Sequence, residues 1–170
     1  ALSADVYPLS PAFERAFADS DTLVEEIDLA EAETLTAAPA ILAKGMYLDG
    51  RRFDSMVSKE TAAMVAARLK ESGLPVEMFQ VMKPWLVMVT IAALEAQKAG
   101  LDPNLGLDKH FYDRAKVAGK TIVGLETAES QIDRLDKMSD TLQEQLLRSS
   151  LSEAETARNS LKTIVLGWRR

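Results

Sequence analysis

The sequence predicts an α+β fold that is predominantly helical, with about eight helices and two short parallel strands. Three observations carry this reading. Apolar residues recur at helical spacing through most of the chain, between Pro and Gly punctuation. Two runs, Thr22 to Asp28 and Thr121 to Leu125, have the β-branched, alternating character of strands. The segment joining those runs is long and helix-rich, as a parallel crossover requires. A strand pair alone is marginal, so the two are expected to belong to a larger sheet.

Composition narrows the function classes. A chain of 170 residues, 47% apolar and 27% charged, suits one domain or two small ones with a sizeable core, and with no internal boundary in view it reads as a single domain over residues 1–170. Twenty Lys and Arg against 26 Asp and Glu leave a net charge of −6, which argues against a nucleic-acid partner held through phosphates. The absence of cysteine excludes disulfides and thiolate metal sites, and a single histidine, His110, excludes a His-rich zinc site. The longest apolar run, near Trp85 to Leu94, falls well short of the roughly 20 residues needed to span a bilayer, so no transmembrane segment is expected. The chain starts at Ala1 without an initiator Met or a signal pattern, and that end reads as a processing or cloning boundary.

Each element has its local reason. Ser10 before Pro11 starts a helix whose stripe is Ala12, Phe13, Ala16 and Phe17. Thr22 to Asp28 is the first strand, with Glu26 and Asp28 on one face and Glu25 on the other. Leu35 to Lys44 reads as a helix despite Pro39, Leu48 to Arg51 as a turn, and Gly45 to Arg52 as the most flexible loop. Ser58 caps a helix running to Glu71, closed by Gly73 and Pro75. Pro84 opens the most apolar helix, Trp85 to Ala99, which Gly100 stops, and which is expected at the centre of the core. Gly106 to Gly119 is another helix, with Asp108 and Lys116 placed favourably for its dipole. The second strand ends at Glu126, and Thr127 begins a helix to Lys137. Ser139 and Ser152 read as caps of the last two helices, Ser152 with Glu155 as a capping box, and Ala157, Leu161, Ile164, Val165 and Trp168 form the final stripe.

Candidate chemistry is sparse. His110 has Arg114, not a carboxylate, at i+4, and reads as structural. No glycine-rich phosphate loop is present. Between Asp19 and Glu33 lie Asp21, Glu25, Glu26, Asp28 and Glu31 with no base among them, either a solvated rim or the wall of a cation site. Both strands end in carboxylates, Glu26 with Asp28 and then Glu126, at the edge where open sheets build sites.

Tyr7-Pro8-Leu9, Leu23-Val24-Glu25-Glu26-Ile27-Asp28, Lys83-Pro84-Trp85-Leu86, Gly106-Leu107-Asp108 and Gly119 to Thr127 occur in that order. Together they resemble the TraB/GumN family, related to the Tiki metalloproteases and to erythromycin esterase-like and ChaN-like proteins. The resemblance covers essentially the whole chain, and Gly124-Leu125-Glu126-Thr127 is its most specific part. It implies a divalent-metal-dependent hydrolase in the periplasm or at the cell surface, with peptide bonds of peptide or protein substrates as the expected target. The two strands would belong to that family's larger sheet. It also implies Gly-x-x-His motifs on both sides of this chain, so that the chain is the central part of a family domain and is inactive alone. The family's site acids map to Glu26, as catalytic residue and metal ligand, and to Glu126 as metal ligand. Manganese, cobalt or zinc is the implied metal for the full-length protein, and none is expected for this chain by itself. Uncovered strand edges and an apolar last helix further predict a homodimer. The competing expectation is a non-catalytic helical interaction or signalling module.

Overall fold

The structure, a computed structural model, describes residues 6–32 and 37–152. Their chain path builds two compact units, one from residues 6–32, 37 and 96–128, the other from 38–95 and 129–152. The architecture is predominantly helical α+β with a two-stranded parallel sheet, as expected.

In the first unit, α1 (Pro11–Asp19) starts at Ser10, which is extended as a cap residue should be. The Ser10 hydroxyl makes no capping bond, however. Its carbonyl instead accepts from the Phe13 and Glu14 amides. Ser20 closes the helix, its amide donating to the Phe17 carbonyl and its hydroxyl to that of Ala16. The strands β1 (Thr22–Ile27) and β2 (Thr121–Glu126) pair in parallel, with Glu25 opposite Gly124 and Ile27 opposite Glu126. β1 stops one residue earlier than the sequence suggests because Asp28 turns to cap α2 (Leu29–Ala32), accepting from the Ala30 amide at 2.8 Å. Between the strands in sequence, α7 (Leu107–Ala118) buries Tyr112 and Ala115 and packs against both. Gly119 terminates it in the left-handed region at φ 67°, a conformation glycine adopts without a Cβ penalty. Val6 and Leu9 form a small core with Phe13, Leu105, Leu107 and Phe111.

The second unit is helical: α3 (Ala37–Gly45, from Ala38), α4 (Phe53–Met56), α5 (Lys59–Glu71), α6 (Pro84–Lys98, within this unit as far as Glu95), α8 (Ala128–Asp136, from Glu129) and a helix over residues 140–152. Ser58 caps α5, its hydroxyl accepting from the Thr61 amide, and Glu144 accepts from the Ser58 amide and the Thr61 hydroxyl. The expected central helix is α6, with Trp85, Leu86, Val87 and Ile91 buried. Val87 and Ile91 join Phe53, Val65, Leu69, Phe79, Leu147 and Leu151 in the main core. Trp85 and Leu86 pack with Ile132 in a second cluster.

Two expectations are corrected in this unit. Residues 45–52 do not begin as a flexible loop. Met46 bridges to Met82, the Tyr47 amide donates to the Val81 carbonyl at 2.7 Å, and Tyr47 is buried. Turn composition governs only the later part, where Asp49 accepts from the Arg51 amide. Ser139 does cap the 140–152 helix, accepting from the Leu142 amide, whereas Ser152 lies in helical backbone and donates to the Arg148 carbonyl. The capping partner Glu155 and the stripe from Ala157 to Trp168 lie outside the described residues.

Candidate functional site

Alternation along β1 and β2 sorts the acids. Ile27 lies opposite Glu126, so Glu126 shares a face with Ile27, Glu25 and Leu23, while Glu26 points the other way with Val24. The first face is the covered one. Glu25 is 7% exposed and Leu23, Ile27 and Glu126 are half-buried, whereas Val24, Glu26 and Leu125 are exposed. The two acids selected from the sequence, Glu26 and Glu126, therefore stand at the carboxyl ends of adjacent strands but on opposite faces.

Glu25 is the residue the sequence reading passed over. Both of its carboxyl oxygens are buried without a hydrogen-bond partner. Burial pushes its pKa up, the carboxylates of Asp108 and Asp28 push it further, and the Leu29 amide pulls the other way without forming an aligned hydrogen bond. Opposite it, Gly124 leaves no room for a side chain, because a Cβ there would lie 2.7 Å from the Asp28 backbone nitrogen. The close approach fixes the turn out of β1 against β2. A signal was present in the sequence: Leu23, Glu25 and Ile27 alternate as one set, and a set with apolar residues at both ends faces inward.

The arrangement can hold and release a proton at Glu25. It does not make a metal centre unaided, because among the described residues no three Asp, Glu or His side chains are grouped to hold an ion. His110 has the structural role its neighbours suggest. Its Nε2 lies 3.1 Å from the Arg114 guanidinium, its ring packs at a tilt against Tyr7 with centres 4.9 Å apart, and burial followed by Arg114 lowers its pKa. Arg114 is itself held by both oxygens of Glu14, at 3.1 and 2.8 Å. In the second unit, Asp133 is held down to about 2 by Lys137 and Lys44, and Tyr47 is pushed up to about 12 by burial and Asp140.

Among the described residues, no helix is long and apolar enough to cross a membrane. The model of the TraB/PrgY/gumN family matches residues 1–170. The uncharacterized protein YbaP of Escherichia coli (strain K12) is 27% identical over 139 residues, which is 81% of this chain and 49% of that protein, and YbaP of Shigella flexneri matches to the same extent. The chain thus spans about half the length of the curated relatives it matches. No solved structure matches.

Proposed function

The chain belongs to the TraB/PrgY/gumN family, and on that premise we propose that the longer protein is a divalent-metal-dependent hydrolase of peptide bonds in which this chain supplies the acid–base carboxyl, Glu25. The observation that carries the proposal is the buried, unpartnered carboxyl at the carboxyl end of a parallel strand. A native fold retains such a group against a cost of about 1–3 kcal/mol, which a purely structural position would not require. Manganese, cobalt or zinc is the proposed metal. The described residues do not fit it alone, and its remaining ligands would come from parts of the protein outside them. What Glu25 does is manage a proton: a carboxyl with a raised pKa can take one from an attacking water and pass it to the leaving amine. Glu126, on the same face, is the second site acid, and Glu26 is the alternative position for the catalytic one.

The test is peptide hydrolysis by the full-length protein with each metal. Glu25→Gln should lower kcat by roughly 100-fold or more, and Glu26→Gln should change it by less than about threefold. A protein that hydrolyses no peptide with any of the metals would refute the hydrolase. Loss of activity in Glu26→Gln but not in Glu25→Gln would return the acid role to Glu26.

The second reading, an interaction module, is supported by the other face of the sheet. Val24, Val123 and Leu125 are exposed there at 55%, 41% and 71%. That face is the proposed self-association surface of a homodimer. A periplasmic or cell-surface location is proposed with either reading, on the family relationship alone.

A further inference from the structure

α1 is amphipathic, yet none of its side chains is fully buried. The apolar face it presents, Phe13, Ala16 and Phe17, lines a cleft of about 210 Å³ together with Leu23 of β1 and Phe111 of α7, whose ring packs on that of Phe17 at 5.3 Å between centres. Lys120, between α7 and β2, is the charged residue of the lining. Its ammonium donates to the Ser20 carbonyl and stands 5.0 Å from the centre of the Phe17 ring, and no carboxylate among the described residues pairs with it. The neighbouring cation, Arg114, is neutralised by Glu14 and lies over the same ring at 4.5 Å. The cleft therefore combines an apolar wall with one uncompensated positive charge that has donors to spare.

We propose that this cleft binds a medium-chain alkyl monocarboxylate, with the alkyl chain among the three phenylalanines and the carboxylate on Lys120. Charge complementarity selects an anion, because an ammonium beside an apolar wall gains most from a charge-assisted hydrogen bond. Lys120 is the one charged side chain of the lining, which matches a headgroup carrying a single negative charge. Size sets the tail. A cavity of about 150 Å³ takes a benzene ring, so this one accommodates roughly eight to ten non-hydrogen atoms. Glu25 does not line this cleft, and the proposal does not depend on the hydrolase reading.

The experiment titrates octanoate, octanol and acetyl-leucyl-phenylalanine into the ¹⁵N-labelled protein and follows the amide resonances of Leu23 and Phe111. Octanoate should shift both, and octanol should bind about tenfold or more weakly because it lacks the charge. Lys120→Met, which keeps the apolar stem, should reduce octanoate to the level of octanol, and Lys120→Arg should retain it. No octanoate binding at about 5 mM, or equal binding of octanoate and octanol, would overturn the proposal. Tighter binding of the dipeptide would overturn it in favour of a peptide C-terminus. The comparison of octanoate with octanol uses the unmodified protein, so it decides the matter even if a variant fails to fold.

Discussion

If Glu25 is the proposed acid–base group, stability and chemistry pull against each other in one side chain. Its pKa is raised in the fold, so above the ordinary glutamate value the folded protein binds more protons than the unfolded one. Its contribution is therefore most favourable at acid pH, below the unfolded pKa, and is lost as pH rises through the folded value. Glu25→Gln removes that slope. Urea denaturation at several pH values should show the variant gaining on the parent as pH rises towards 8, with the gain vanishing near pH 4. The same substitution is expected to lower kcat of the full-length protein by roughly 100-fold or more, so a variant that is more stable and much less active is the combined signature of a functional strain site. From the sequence, Glu25 and Glu26 are chemically equivalent neighbours. What separates them is one step of strand parity, and that step decides between solvent and the buried face.

Elements were legible wherever a local rule governs them. Ser58, Pro84, Gly119 and Ser139 mark helix ends through hydroxyl capping, a missing amide or a left-handed closing residue, and each stands at the predicted boundary. Where a partner distant in sequence intervenes, the local rule fails. Met46 and Tyr47 lie next to turn residues but are drawn into pairing with Val81 and Met82. Gly124 gives a quantitative check of such a long-range contact. Propensity alone would make Gly124→Ala stabilising by about 0.5–1 kcal/mol in a strand. The Cβ would instead meet the Asp28 backbone, which cannot swing aside, and the variant should lose about 1–3 kcal/mol in urea denaturation. A gain in stability would show that the turn after β1 yields easily.

For the whole molecule, the class of fold and the parallel pairing were readable because a helix-rich crossover has few topological solutions. The partition of the chain into two compact units was not, since no stretch of linker composition marks it and each unit draws on separated segments. The core of the second unit shows how such a body holds together. Leu147 is fully buried against α5 and α6, and Leu147→Ala should cost about 2–5 kcal/mol, read through the fluorescence of buried Trp85. An effect below about 1 kcal/mol would mean that the 140–152 helix is peripheral. The interleaved path also orders events during synthesis. β1 leaves the ribosome roughly 90 residues before β2, a wait of some 5–20 s at ordinary elongation rates. Leu147 and Leu151, which close the core over Val65, Leu69, Val87 and Ile91, arrive later still. Over that stretch of synthesis β1 awaits β2, and the apolar face of α5 and α6 that Leu147 and Leu151 cover stays open until they arrive, a face of the kind chaperones engage.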